Sequence, residues 1–319
     1  MELSLNRLRT LHEFARCGTV TRAAAVLHYT PSAVSQQLAA LEREVGLQLL
    51  EQVGRRVRLT DAGRLLAGHA AEVLAAEERA RIALEAAQET LTAELTVGVM
   101  ATLAGTLVPP VLTALAARHP GVRVTTREMV PERTQDAVRD GDLDLAFALD
   151  YPPAPAHWDA ALEATEVGVE RLHLVAPAGR FTAGPGQRTV DLAELAESPW
   201  VASGVDTEFG RALRAVCRSA GFTPHLAHQV DEQATAMAMV AAGLGVTLAA
   251  DLVLPLRPVG VDVVPLRPPF TRRVVLLRRT ATRARPSEEA FLQAALETAA
   301  AFGLTDEPAP PAATQAPPG

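Results

Sequence analysis

Apolar positions recur at helical spacing from the start of the chain. Leu5, Leu8, Leu11, Phe14 and Ala15 mark one face of a helix that runs to Cys17 and stops at Gly18. Thr19 or Thr21 can cap a second helix through Ala23, Ala24, Ala25, Val26 and Leu27. Thr30 followed by Pro31 has the form of an N-cap and a first helical position. A third helix is predicted from there to about Val45, striped by Val34, Leu38 and Leu41 and stopped by Gly46. Over residues 47–60 the period changes. Gly54 supplies a turn, and Val57 and Leu59 alternate with Arg56 and Arg58, which predicts a short two-stranded wing with arginines on one face. Residues 61–91 contain no proline, and Leu66, Ala70, Val73, Leu84 and Leu91 fall near a seven-residue repeat. A helix of that span would be roughly 45 Å long. Its stripe needs a partner, so it is predicted to link and to dimerise.

Beyond residue 92 strands and helices alternate. Strands are predicted at 94–99, 122–128, 143–149, 172–176, 199–203, 226–230, 246–249, 261–266 and 272–279. Helices are predicted at 108–119, 134–140, 191–196, 206–220, 233–242 and 287–301. Alternation of this kind argues for parallel α/β layers. A Pro-rich stretch at 152–155 and a Gly- and Pro-rich loop reaching 187 interrupt it, and the Pro- and Ala-rich tail, 305–319, reads as disordered.

Composition adds an asymmetry. The 319 residues carry a net charge of −7, which taken alone argues against nucleic acid. Residues 1–68, however, hold nine arginines against six acidic residues, and the rest of the chain holds the acidic excess. Apolar residues make up 48% and aromatic ones only 4%, so the cores must be aliphatic. The two cysteines, Cys17 and Cys217, lack metal or redox spacing and read as thiols in a reducing compartment. No signal-peptide pattern and no apolar run long enough for a membrane span occurs, which predicts a cytoplasmic protein without membrane contact.

Three helices, the third capped, followed by a basic wing make a helix-turn-helix arrangement. The third helix offers Ser32, Ser35, Gln36 and Gln37 near its start, side chains that fit a major groove; Gln can pair with adenine. Thr30 is first an N-cap and then a base contact, and Pro31 sits at the same helix end. Ser32 and Gln36 taken alone would be solvated helix-surface residues; in this register beside a wing they are expected to contact DNA. Arg55, Arg56 and Arg58 can reach phosphates or the minor groove.

The run from Thr19 to Gly63 resembles the head of LysR-type transcriptional regulators. The matching residues are AA at 23–24, Leu27, PSAVSQQL at 31–38, LE at 41–42, Gly46 and LTDAG at 59–63. One departure stands out: where the family usually has Phe-Glu-Arg, this chain has Leu50, Glu51 and Gln52. The resemblance extends more weakly through VPP at 108–110, RHPGV at 118–122, DGDLDLAF at 140–147, AGF at 220–222 and VAAGLGVTL at 240–248. It implies an α/β effector domain of two lobes joined by crossing strands, similar to type 2 periplasmic binding proteins. The expected organisation is a winged helix-turn-helix over 1–60, a linker helix over 61–91 and an effector domain over 93–304. Lobe one would take 93–168 plus 267–304, and lobe two 169–266.

Ligands of such folds sit between lobes at strand ends and helix N-termini. Thr102 and Leu103 follow the first strand, and Ser203 and Gly204 hold the matching place in lobe two. Together with Gln229 they are the expected contacts for a small anionic or polar effector; each could instead cap or turn. Asp150 and Asp231 fall at other strand ends, and Met100 and Phe147 read as wall or core.

An enzyme finds no phosphate loop, nucleophile elbow or metal spacing here, and no cofactor is expected. A transport binding protein would share the body but not the head. A winged-helix adaptor is argued against by the arginines of the wing. The resemblance implies a homodimer or homotetramer on double-stranded promoter DNA, contact with RNA polymerase, and an effector that shifts the spacing of the heads. Activation and repression both remain open.

Overall fold

The computed structural model describes residues 3–27, 29–53, 56–87, 90–181, 189–280 and 284–304, with the backbone alone at Val53 and Arg56. The tail expected to be disordered, the Gly- and Pro-rich loop at 182–188 and wing residue Arg55 lie outside the described residues.

The head is α1 (Leu5–Cys17), α2 (Val20–Val26), α3 (Pro31–Val45) and a wing of β1 (Leu50–Val53) and β2 (Arg56–Leu59). Leu8, Leu11, Phe14, Ala23, Ala24 and Leu38 close its aliphatic core. Thr19, and not Thr21, caps α2 by accepting from the amide of Arg22. Glu42 Oε1 accepts from the amides of Leu49 and Leu50 at 2.8 and 3.0 Å, fixing the wing to the end of α3. Thr60 then caps α4 (Asp61–Ala86) by accepting from the amide of Gly63. A Cβ at Gly63 would come within 2.1 Å of the Leu49 carbonyl oxygen, so only glycine lets α4 start this close to the wing.

α4 stops at Ala86, short of the expected Leu91. Glu85, buried near the end of α4, accepts from Arg285 Nε and Nη2 at 2.9 and 2.5 Å and from Ser287 Oγ at 2.8 Å. Arg285 Nη1 also donates to Asp144 at 2.8 Å. Beyond this clamp Leu91 packs against the body core.

The body continues with β3 (Ala93–Val99), α5 (Ala101–Ala104), α6 (Val108–Arg118), β4 (Val122–Glu128), α7 (Pro131–Arg139) and β5 (Leu145–Asp150). Next come β6 (Leu162–Pro177), β7 (Val190–Asp191), a 3₁₀ turn at Leu192–Leu195, β8 (Pro199–Ala202) and α8 (Glu208–Ser219). The chain ends with β9 (His225–Gln229), α9 (Gln233–Ala241), β10 (Thr247–Ala250), a 3₁₀ turn at Asp251–Leu256, β11 (Val261–Arg279) and α10 (Pro286–Ala301). The main sheet has the order β10-β6-β11-β5-β3-β4, with β7 beside β11. β3 runs parallel to β4 and β5, while β11 is antiparallel to both β5 and β6. The β8–β9 pair reaches the stretch before β10 through a bridge between Trp200 and Val246.

Two differences from the periodicity reading matter most. β6 is one strand of 16 residues, although only 172–176 carries a clear apolar signal. Its stretch before Leu172 is broken up by Glu163, Glu166 and Glu170, and each of these meets an arginine on β11: Arg278, Arg273 and Arg272. β11 likewise joins the two strands expected at 261–266 and 272–279. Pairing with β6 lapses between Pro265 and Phe270, where Pro268 and Pro269 have no amide to give; Leu266 and Arg267 pair with β7 instead. The expected lobe boundaries at 168 and 267 therefore fall inside two continuous strands that both lobes share.

Removing one partner of a buried ion pair strands the other charge. Arg285→Leu is therefore expected to destabilise the body by about 3 kcal/mol and to speed amide hydrogen exchange in the last two turns of α4. Denaturant unfolding and exchange mass spectrometry read the two effects.

Candidate DNA-contact face and ligand cleft

α3 turns Val34, Leu38 and Leu41 into the core, so its opposite face is left to solvent. Thr30, Pro31, Ser32, Ser35 and Gln36 are exposed along that face and Gln37 is half-buried. Thr30 Oγ1 accepts from the amide of Ala33 at 3.1 Å, so the hydroxyl is occupied as an N-cap. Ser35 Oγ donates to the carbonyl of Pro31 at 3.0 Å, which leaves its lone pairs as the group it presents outward. Arg58 is exposed on β2, opposite Glu51 of β1. Arg56 starts β2, but its side chain lies outside the described residues, as does Arg55.

The body holds a cavity of about 220 Å³ between the lobes. Its floor and walls come from element ends: Met100 and Thr102 after β3, Tyr151 after β5, Ser203 after β8, and Arg272 from β11. Of the expected ligand contacts, the fold brings Thr102 and Ser203 together here. Ser203 is buried and its Oγ lies 3.5 Å from the carbonyl of Val230. Three others stand elsewhere. Leu103 is fully buried in the core with its amide bonded to the Met100 carbonyl, because α5 is a single turn that rotates it away from the cavity. Gly204 is squeezed by its neighbours: a Cβ there would meet Gln229 Nε2 at 2.2 Å, and its carbonyl accepts from the amide of Thr207. Gln229 is exposed and lies against Gly204 outside the cavity lining.

Sequence reasoning missed the groups that dominate the cavity. Arg272 is 1% exposed and paired with Glu170, its Nε donating at 2.6 Å. Its Nη1 donates to the hydroxyl of Tyr151 at 3.2 Å, and Glu170 Oε2 accepts from the amide of Leu252 at 3.0 Å. Arg272 Nη2 also lies 2.5 Å from Glu170, but out of line, and it makes no hydrogen bond. Burial pushes the Tyr151 hydroxyl up, with Arg272 opposing the shift. No spacing signal announces a pair 102 residues apart; only the strand register sets Arg272 opposite Glu170. The carboxylates Glu128, Glu132, Glu208, Asp231 and Glu232 line the rim. Burial first, then Glu132 and Asp150, push Glu208 up to about 7, with Arg211 opposing. Asp150, read as a possible solvated strand end, is buried and accepts from the amide of Ala156 at 2.8 Å.

A larger cavity, about 840 Å³, opens where α1, α4 and lobe one meet. Its charges are largely matched: Arg16 pairs with Glu13 and Asp140, and Arg9 with Glu77. Among the described residues no group of three or more His, Cys, Asp or Glu is placed to hold a metal ion, and no helix is long and apolar enough to cross a membrane.

A winged helix-turn-helix head joined to a two-lobed α/β body with an interlobe cavity is the architecture of a DNA-binding transcription regulator. The model of the lysR-family bacterial regulatory helix-turn-helix protein matches residues 5–64, and that of the LysR substrate binding domain matches residues 88–300. The chain belongs to the LysR family of transcriptional regulators. A probable hydrogen peroxide-inducible genes activator of Mycobacterium avium is 34% identical over 73% of each chain. The RuBisCO operon transcriptional regulator of Allochromatium vinosum is 27% identical over 94% of this chain and 98% of that one. Among solved structures, a full-length OxyR mutant of Pseudomonas aeruginosa superposes with a TM-score of 0.65 at 24% identity, covering 92% and 98% of the two chains. Full-length CbnR in complex with its target DNA gives 0.54 at 22% identity, covering 93% and 100%, and shares the fold.

Replacing Arg272 by Met leaves Glu170 buried without its partner. Arg272→Met is expected to lower unfolding free energy by about 3–5 kcal/mol, and adding Glu170→Met should recover most of that loss. Urea denaturation of the two variants reads the difference.

Proposed function

We propose that this regulator is a cytoplasmic, non-enzymatic homo-oligomer that reads promoter DNA through α3 and the wing and answers a small effector held between its lobes. The observation that carries the reading is the solvent-facing side of α3, where Ser32, Ser35 and Gln36 stand clear of the core beside an arginine-bearing wing. Leu65, Val73 and Leu84 are exposed along α4, apolar surface of the kind a second copy would cover. Two heads joined in this way would grip two half-sites. Thr102 and Ser203 face the cavity and are the proposed effector contacts. Closure of the lobes would strain β6 and β11 and, through the Arg285–Glu85 clamp, move α4 and the heads. A ligand shifts such an equilibrium only by binding the two arrangements with different affinity. Contact with RNA polymerase belongs to the same reading.

The test is a salt-dependent titration of the full-length protein on the segment upstream of its own gene. Arg58→Ala should weaken all sites alike and reduce the salt slope by about 1, while Gln36→Ala should relax selectivity. Absence of selective binding at low salt would overturn the reading in favour of a protein adaptor.

Two relatives, from Mycobacterium avium and Mycobacterium leprae, are named for hydrogen peroxide, but the thiols here favour another signal. Cys217 is fully buried in α8 and its thiol is pushed up to about 12 by burial; burial also raises Cys17. Peroxide reacts with thiolate, which both sites disfavour. Promoter binding is therefore expected to be unchanged by peroxide, in the parent and in Cys17→Ser/Cys217→Ser alike. A footprint that shifts with peroxide in the parent and not in the double variant would contradict this.

A further inference from the structure

The charge of the interlobe cavity speaks to the class of effector. Hydroxyls at strand ends point to a small anionic or polar effector. The assembled cavity has the opposite balance. Glu128 and Glu132 enter from lobe one, and Glu208, Asp231 and Glu232 from lobe two. Among the described residues, the side-chain carboxylates of Glu128, Glu132, Glu208 and Asp231 make no hydrogen bond or ion pair; Glu232 uses one oxygen to cap α9 at the amide of Thr235. The one guanidinium in the lining, Arg272, has its charge matched by Glu170. Nearby arginines do not line the cavity: Arg273 sits with Asp150 and Glu166, and Arg211 donates to the carbonyl of Asp206. A dianion entering here would meet four unpaired carboxylates and no unpaired cation, at reduced dielectric.

A second observation specifies the other end of the ligand. Arg272 is 1% exposed and lines the cavity, and its Nη2, ion-paired with Glu170 at 2.5 Å, makes no hydrogen bond. The Thr102 and Ser203 hydroxyls stand in the same lining. Met100, Leu149 and Phe209 supply apolar wall in between. A cavity of about 220 Å³ suits a molecule of amino-acid size.

We propose that the effector is a small organic cation of amino-acid size, its ammonium or guanidinium seated among Glu132, Glu208 and Asp231 and an acceptor oxygen turned to Arg272. This deepens the interlobe-effector reading and rests on it. Because Glu132 comes from lobe one and Glu208 and Asp231 from lobe two, one cation bridges the lobes and relieves the repulsion that otherwise holds them apart. Cation binding also favours the ionised form of Glu208, whose carboxyl is pushed up to about 7 by burial, Glu132 and Asp150 against Arg211. Affinity therefore rises between about pH 6 and 8.

The experiment is calorimetric titration of the full-length protein with L-lysine, L-ornithine and 1,4-diaminobutane as chloride salts, and with succinate and glutarate as sodium salts, at matched ionic strength. At least one ammonium probe is expected to bind, about tenfold more weakly in Glu208→Gln, the loss of one charge-assisted contact. Thr207 still caps α8 in that variant, so the fold is kept. Glu132→Gln should act in the same direction, and the dicarboxylates should not bind. Silence from every ammonium probe, or ammonium binding indifferent to both substitutions, overturns the inference. Dicarboxylate binding that Thr102→Val with Ser203→Ala removes would overturn the cation preference while leaving the interlobe site standing. Selective promoter binding, measured in parallel, reports on the regulator reading independently.

Discussion

Everything in the body depends on two antiparallel strands, β6 and β11, that run through both lobes and meet at a buried ion pair. Each strand must stay extended for 16 and 19 residues, with charged residues in its middle. That is possible because the charges answer one another across the ladder: Glu163 opposite Arg278, and Glu170 opposite Arg272. The exposed pairs contribute little by themselves. The Glu170–Arg272 pair differs, being 1% exposed on both sides and tied further to Tyr151 and the amide of Leu252. It holds the register where the two strands pass between the lobes, and its Arg272 also lines the interlobe cavity.

A second buried charge connects that hinge to the head. β11 leads within a few residues to Arg285, which precedes α10 and clamps Glu85 at the end of α4. α4 begins at the wing, where the bare backbone of Gly63 lies against Leu49. Two buried ion pairs, Arg272–Glu170 and Arg285–Glu85, and one tight backbone contact at Gly63 thus lie between the cavity and the head. The ion pair between α1 and lobe one, Arg16 with Asp140, is a second contact of the head with the body, and Glu13 of α1 sits beside it one turn away.

The charge of the chain is likewise divided by position. The basic excess of the first 68 residues serves the head, and the acidic excess of the body gathers in part around the cavity. A net charge of −7 describes neither surface. The sign that would meet a phosphate backbone is that of the head, and the sign that would meet a molecule in the cavity is that of Glu132, Glu208 and Asp231.

The head was legible from the residues because its signals are local. N-caps at Thr19 and Thr30, stops at Gly18 and Gly46, and the stripe Val34, Leu38 and Leu41 each act within a turn or two. The same holds for most body helices and for β3, β4 and β5. The cavity was only half legible: Thr102 and Ser203 could be placed because strand ends converge in this topology, but Leu103, Gly204 and Gln229 are turned elsewhere by a one-turn helix and a tight backbone contact. Tyr151, Glu170, Arg272, Glu85 and Arg285 carry no local pattern, and their partners lie tens to hundreds of residues away. Glu163, Glu166 and Glu170 even argue locally against the strand they occupy. The chain by itself determined periodicity, caps and turns, which are short-range properties of the backbone. Which charges are buried, paired or left facing a ligand was decided by tertiary register, because Coulomb and desolvation energies depend on neighbours in space and not in sequence.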